Sequence, residues 1–112
     1  MTDDLKSLQD GLSASIQTIL QAYDQCTSPE VRPQLLDQAQ MLSSQMSRIE
    51  TMLFHQQTLE ASDVLTAAFA SAKGFTDQIG GLNNQLERVS EIISLAGKVI
   101  NAVTQIVNFL PA

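Results

Sequence analysis

The apolar residues at the start of the chain recur at alternating steps of three and four positions. Such spacing places side chains on one face of an α-helix, because the helix turns once every 3.6 residues. The pattern therefore predicts an amphipathic helix over approximately residues 3–26. Its apolar stripe consists of Leu5, Leu8, Leu12, Ile16, Ile19, Tyr23 and Cys26.

The same spacing predicts a second helix over approximately residues 29–57. Ser28 can cap its free amides, and Pro29 fits the first helical position, where a missing N–H costs nothing. Pro33 follows one turn later and predicts an irregular first turn. The stripe of this helix consists of Leu35, Ala39, Leu42, Met46, Ile49 and Leu53.

A turn is predicted between the second and third helices, although neither Gly nor Pro occurs in residues 34–73. If the second stripe continued beyond Leu53, it would reach polar positions such as Glu60. The next apolar series includes Leu65 and has a different helical phase. We therefore expect the turn within residues 55–62, with Ser62 capping the helix that follows.

The third apolar series keeps its seven-residue repeat without a slip from Leu65 to Leu110. A repeat of this kind is typical of a left-handed coiled coil or a long bundle helix. Gly80 and Gly81 lie in its middle and would weaken a helix there. A turn has no evident reason to preserve the heptad phase, so one continuous or kinked helix over residues 62–109 is favoured over two helices.

These elements predict an all-α fold: a single-domain antiparallel bundle, residues 1–112, with coiled-coil-like packing. It has three long helices, or four if the chain breaks at Gly80-Gly81, with Asn84 and Glu87 then capping the last helix. A continuous third helix would span about 70 Å, so the first two could not cover it along its length. We therefore expect another protein to cover the C-terminal heptad face. That predicted interface consists of Leu86, Val89, Ile93, Ala96, Ile100, Val103, Val107 and Leu110.

Charge and composition narrow the kinds of partner. The chain has 12 acidic and 6 basic residues and a net charge of -6, which leaves no basic surface for nucleic acid. The acidic residues are concentrated in the first 60 positions, which hold 8 acids and 3 bases and so carry a net charge of -5. Few charged residues remain to flank the C-terminal apolar stripe, so shape and apolar contact are expected to select the partner.

The C-terminal stretch, residues 92–112, also raises the question of a membrane. It carries one charged residue, Lys98, and is long enough to cross a bilayer. Its polar residues form a narrow stripe, which argues against a crossing helix. Its Ile-Ile and Gly-Lys-Val-Ile rhythm resembles that of short amphipathic membrane-active peptides. This resemblance implies lipid binding or pore formation as the alternative to protein contact.

No residue pattern indicates catalysis or a cofactor. His55 is the single histidine and has no second ligand at metal-binding spacing, and the single cysteine, Cys26, cannot form an internal disulfide. The remaining ionisable side chains are spread along helix exteriors, whereas acid–base chemistry needs them clustered. The chain is therefore predicted to have no catalytic residues, no metal site and no cofactor.

The sequence thus predicts a non-enzymatic interaction module that self-associates or binds a partner protein through the apolar face of its C-terminal helix. One alternative is a membrane-active protein that uses the same helix. Another is a small acidic immunity or chaperone protein with one cognate partner, by analogy of size, charge and helicity. The first residues do not form a secretory leader, so a cytoplasmic location is expected, with leaderless secretion left open.

Overall fold

The computed structural model is a bundle of four α-helices, and it describes residues 2–54, 63–85 and 87–108. Helix α1 spans Thr2–Gln25, α2 spans Arg32–Phe54, α3 spans Asp63–Gly81 and α4 spans Val89–Val107. The described residues contain no β-strand. The all-α bundle predicted from the sequence is confirmed, in its four-helix form.

The continuous third helix favoured by the heptad repeat is wrong. The whole molecule is 44 Å in its longest dimension, too short for a helix of about 70 Å. Helix α3 ends at Gly81, and the amide of Leu82 bonds to the carbonyl of Ile79 at 3.0 Å. Leu82 is only 8% exposed and closes the end of the core. The connection, residues 82–88, is seven residues long, so the heptad phase is preserved across a turn.

Helix α4 begins at Val89, later than the predicted cap at Asn84. Arg88 occupies the cap position, where no side chain bonds to the free amides. The guanidinium of Arg88 instead pairs with the carboxylate of Glu91 and donates to Oε1 of Gln85 at 2.8 Å. The predicted capping pair is therefore wrong, and Glu91 supplies the negative charge that favours the first turn.

The first turn of α2 is displaced from its predicted start at Pro29. Residues 29–31 form a turn in which the amides of Val31 and Arg32 bond to the carbonyl of Ser28, at 3.3 and 3.1 Å. Pro33 then falls in the first turn of α2, where its missing N–H interrupts no helical hydrogen bond. The regular helix therefore begins at Arg32, beside Pro33, and the segment before it is an irregular turn, as predicted.

The four helices form two antiparallel hairpins, α1–α2 and α3–α4, that pack side by side. Helix α1 contacts α3, and α2 contacts α4. Gln38 lies beside Ile93, and Gln45 lies beside Ile100, so α2 and α4 run in the same direction. The two larger contacts between the hairpins are therefore between parallel helices, and α1 also makes a smaller contact with α4. We call the two larger contacts the α1/α3 seam and the α2/α4 seam.

The core is drawn largely from the predicted faces of the first two helices. Fully or nearly fully buried are Leu5, Leu8, Leu12, Ile19, Leu35, Ala39, Leu42 and Ile49. Partly buried beside them are Ile16, Tyr23, Cys26 and Met46. Several predicted positions lie outside the described residues: the side chains of Leu53 and Leu65, the turn at 55–62 with His55 and Ser62, and Leu86 and Leu110.

Candidate functional site

The predicted interface on α4 divides into two groups. Ala96 and Val103 are 0% exposed and Val107 is 7% exposed, so the chain's own helices cover them. Val89, Ile93 and Ile100 are only partly buried and pack at the edge of the core. Leu86 and Leu110 lie outside the described residues. The part of the predicted stripe that another molecule can reach is therefore Val89, Ile93 and Ile100.

The centre of burial on α4 lies to one side of the predicted stripe. Ile92, Val99 and Ile106 are all 0% exposed and repeat at a seven-residue step of their own. At about 100° per residue, the predicted stripe is rotated by roughly 80° from this centre. The rotation is toward α2, since Gln38 of α2 reaches the backbone at Ile93. Because α2 and α3 both cover α4, a wider arc of the α4 surface is buried than contact with one helix would bury.

Val89 and Ile93 line an open groove with a volume of about 490 Å³. The groove lies where the α1–α2 connection and the first turn of α2 face the start of α4. Its volume falls within the range of typical ligand-binding pockets. The groove is lined by Cys26, Ser28, Val31, Gln34, Val89, Ser90 and Ile93.

The basic residues beside the groove are engaged within the chain. The guanidinium of Arg32 lies 4.3 Å from the centre of the Tyr23 ring, and its Nε donates to the Tyr23 carbonyl at 3.3 Å. Arg88 forms its ion pair with Glu91. The charge of Arg88 is therefore offset by a carboxylate of this chain, whereas Arg32 is held in place by neutral groups and keeps its positive charge.

The acidic residues beside the groove are exposed. Asp24 lies two residues before Cys26, Glu30 immediately precedes Val31, and Glu87 lies two residues before Val89. Within the described part of the chain, none of the three acids forms an ion pair. The groove thus combines an apolar lining with a flank of free negative charge.

Comparisons of the chain with protein-family models, with curated proteins and with solved structures found no match.

Two glutamines, the partly buried Gln38 and the buried Gln45, connect α2 to α4 behind the groove. Nε2 of Gln38 donates to the carbonyl of Ile93 at 2.9 Å, and Nε2 of Gln45 donates to the carbonyl of Ile100 at 3.1 Å. Nε2 of Gln45 also donates to Oγ1 of Thr104 at 2.9 Å. Both Oε1 atoms are buried without a hydrogen-bond donor among the described residues. This pair was not predicted from the sequence, where its visible signal is two glutamines seven residues apart beside the α2 stripe.

A second depression, of about 230 Å³, lies between α3 and α4 and is less apolar. The ammonium group of Lys98 lies 5.6 Å from the centre of the Phe75 ring there. Ser71, Asn101 and Gln105 contribute further polar groups to its lining. This depression therefore offers a partner less uninterrupted apolar surface than the groove beside Val89 and Ile93.

Two further observations bear on the other predicted functions. Among the described residues, no group of three or more His, Cys, Asp or Glu side chains could hold a metal ion. None of the helices is both long enough and apolar enough, over its described residues, to cross a membrane. The apolar face of α4 is occupied by core contacts. Lipid binding by that face would therefore require α4 to leave the bundle.

Proposed function

We propose that this chain is a non-enzymatic protein–protein interaction module that binds its partner through the groove beside Val89 and Ile93. One observation carries the proposal. Val89 and Ile93, two of the three accessible residues of the apolar stripe on α4, meet Val31 and Cys26 of the other hairpin, and together they form an open apolar groove. Two regions distant in sequence thus contribute to one contact surface.

The chemistry of the lining favours binding over catalysis. Among the described residues, the groove is lined by aliphatic side chains, two hydroxyls, an amide and a thiol, and by no carboxylate, imidazole or ammonium group. Acid–base catalysis would need such groups placed inside the groove. Covering partly exposed aliphatic surface contributes about 25 cal/mol per Å². A few anchoring side chains from a partner would therefore supply most of the binding energy.

The proposed contact is narrower than the eight-residue stripe predicted from the sequence. Ala96, Val103 and Val107 belong to the core, and a partner could reach them only if the bundle opened. Val89 and Ile93 are reachable in the folded chain. An immunity-type or chaperone-type role is one form of this function, in which a single cognate protein occupies the groove. Self-association through the same groove is the other form.

The test compares the wild type with Ile93→Gln and with Ser94→Gln, a control on the exposed side of α4. Each tagged protein is incubated with lysate of the source organism, and captured proteins are quantified by mass spectrometry. We expect one protein to be captured by the wild type and by Ser94→Gln, and to be reduced about tenfold with Ile93→Gln. Circular dichroism and urea unfolding establish that the variants remain folded.

Sedimentation velocity on the same three proteins detects self-association. A dimer that Ile93→Gln dissociates and Ser94→Gln retains would identify a second copy as the partner. If the wild type is monomeric and captures nothing that depends on Ile93, the proposed function is wrong.

A further inference from the structure

We infer that the groove accepts a basic amphipathic helix of another protein. This inference deepens the proposed function and rests on it, because it assigns the chemistry of the partner to the same groove. Two independent features of the structure support it: the shape and apolar character of the lining, and the sign of the free charge beside it.

The apolar feature is the set of aliphatic side chains at the groove. Val31 approaches from the α1–α2 connection, and Val89 and Ile93 approach from the first turns of α4. All three are partly buried, so each presents some apolar surface to solvent. Val89 and Ile93 lie one turn apart on α4, so their exposed surfaces can contact side chains from successive turns of a docked helix, as in helix-in-groove recognition. Such a helix would present aliphatic residues three or four positions apart.

The electrostatic feature is the imbalance between free acids and free bases. Asp24, Glu30 and Glu87 are exposed, and no ion pair of the described residues includes them. Arg32 is stacked on Tyr23, and Arg88 is paired with Glu91. The acids Asp24, Glu30, Glu87 and Glu91 thus outnumber the bases Arg32 and Arg88 by two close to the lining residues in sequence, so a partner meets net negative charge there. Lys and Arg side chains on the docked helix would complement this charge and speed association.

The same imbalance argues against a second copy of this chain as the occupant. Its net charge is -6, and two copies meeting at this groove would bring the acidic flanks together. Like charges placed opposite each other across an interface oppose association. A basic helix from a different protein avoids this repulsion and gains attraction from the same residues.

The test uses two fluorescent 18-residue probe peptides with the same leucine-lined helical face. One carries lysine on its polar face, and the other carries glutamate. Fluorescence anisotropy measures binding to the intact chain at two salt concentrations. We expect the Leu/Lys probe to bind about tenfold tighter than the Leu/Glu probe, and its advantage to shrink as salt is raised. Equal or tighter binding of the Leu/Glu probe would overturn the inference.

Variants that remove carboxylates show which acidic residues attract the Leu/Lys probe. Glu30→Gln/Glu87→Gln removes two carboxylates beside the groove, whereas Asp10→Asn/Asp63→Asn removes two exposed carboxylates far from it. Asp10 lies about 24 Å from Cys26 along α1, at 1.5 Å per residue. We expect the first pair to weaken Leu/Lys binding about threefold to tenfold and the second to change it less than about twofold. Equal weakening by both pairs would mean that only net charge matters, and would overturn the inference.

Cys26 reports occupancy of the groove without relying on a variant. It is the single cysteine of the chain and part of the groove lining. We expect saturating Leu/Lys probe to slow alkylation of Cys26 by N-ethylmaleimide, and Leu/Glu probe to leave the rate unchanged. Binding that leaves Cys26 equally reactive would place the probe elsewhere and contradict the inference.

The two proposals fail differently. If a partner is captured in an Ile93-dependent manner but the Leu/Lys probe neither binds nor displaces that partner, the charge assignment is wrong and the interaction module stands. If the wild type is monomeric and neither the capture nor the probe binding depends on Ile93, both proposals are wrong.

Discussion

The two seams that join the hairpins perform the same structural task with opposite chemistry. At the α1/α3 seam the backbone of α1 comes so close to α3 that a Cβ atom added to Gly11 would lie 2.8 Å from Oγ1 of Thr76. At the α2/α4 seam the side chains of Gln38 and Gln45 extend between the helices to backbone carbonyls. One seam depends on the absence of a side chain, and the other depends on two long polar ones.

The two seams differ in whether their polar groups favour the stability of the fold or the alignment of the helices. Polar groups near the α1/α3 contact are satisfied locally: Oγ of Ser15 donates to the carbonyl of Gly11 at 2.8 Å, and Oγ1 of Thr76 donates to that of Lys73 at 2.9 Å. At the α2/α4 seam, two buried Oε1 atoms have no donor among the described residues, which costs free energy. The matching seven-residue spacing of donors and carbonyls nevertheless favours one alignment of the two helices.

The largest predicted effect comes from placing a charge in the polar seam. Gln45 is 8% exposed, and its Nε2 donates to the carbonyl of Ile100. An ionised glutamate at this position carries no N–H or O–H group to donate, and its charge faces the carbonyl oxygen of Ile100. Gln45→Glu should therefore lower the free energy of unfolding by about 3 kcal/mol. Urea unfolding at pH 7 measures the loss. Gln40→Glu, on the exposed side of α2, is the control and should change stability by less than about 0.5 kcal/mol.

The loss should depend on pH in a defined direction. Burial raises the pKa of a carboxyl group, and the neutral acid can donate to the Ile100 carbonyl as glutamine does. The difference in stability between Gln45→Glu and the wild type should therefore be full at neutral pH and shrink as the pH falls toward 4. A difference that is unchanged at low pH would show that charge is not its cause.

The next effect tests the close approach at the other seam. Alanine is favoured over glycine in a helix by about 1 kcal/mol, yet Gly11→Ala should lower the free energy of unfolding by about 1–2 kcal/mol, because the new methyl group collides with Thr76. Gly97→Ala is the matched control: nothing lies within 4 Å of the added Cβ, so helix propensity alone should raise stability by up to about 1 kcal/mol. Thermal and urea unfolding measure both.

A second substitution identifies the cause of the Gly11 effect. Thr76→Ala removes the nearest atom, Oγ1, and should recover part of the stability lost in Gly11→Ala. Wild-type stability of Gly11→Ala, or equal changes at Gly11 and Gly97, would show that the α1/α3 seam has room to adjust.

The contrast between the seams also explains which features could be predicted from the sequence. The faces of α1 and α2 were predictable because each depends on a local alternation of apolar and polar residues. The break after Gly81 was harder, because the connection to Val89 is one heptad long and places the apolar Leu82 in the turn. The apolar repeat across this connection indicates which residues are buried, and it does not indicate that they are helical. Leu82 is buried in the turn, where it fills the end of the core.

The candidate groove was predictable only in part. Val89 and Ile93 were expected at an interface, but the contribution of Val31 depends on which helices become neighbours. Local periodicity cannot decide between the adjacent and diagonal positions of α2 relative to α4. The same holds for Gln38 and Gln45, whose spacing is visible in the sequence but whose acceptors belong to a distant helix.

A smaller effect is predicted when the polar contacts of the α2/α4 seam are replaced by apolar ones. Gln38→Leu/Gln45→Leu removes both donors together with both unmatched Oε1 atoms, so stability should change by less than about 1 kcal/mol, with a gain favoured. The alignment of α2 against α4 should become less specific instead, since leucine side chains can pack at several offsets between the two helices. We expect broader or doubled NMR amide signals for α2 and α4 and unchanged sharp signals for α1 near Gly11. A large loss of stability would mean that the glutamines stabilise the fold as well as align it.

The smallest effect measures how tightly the members of the polar seam are coupled. Oγ1 of Thr104 accepts from Nε2 of Gln45 at 2.9 Å and donates to the carbonyl of Ile100 at 2.7 Å. Thr104→Val keeps the shape and removes both contacts, but Gln45 retains its bond to Ile100, so the loss should be only about 0.5 kcal/mol. In the Gln45→Leu background the same substitution should cost less, because the Gln45 contact is already absent. A double-mutant cycle by urea unfolding gives the coupling. Zero coupling would show that Gln45 acts through the Ile100 carbonyl alone.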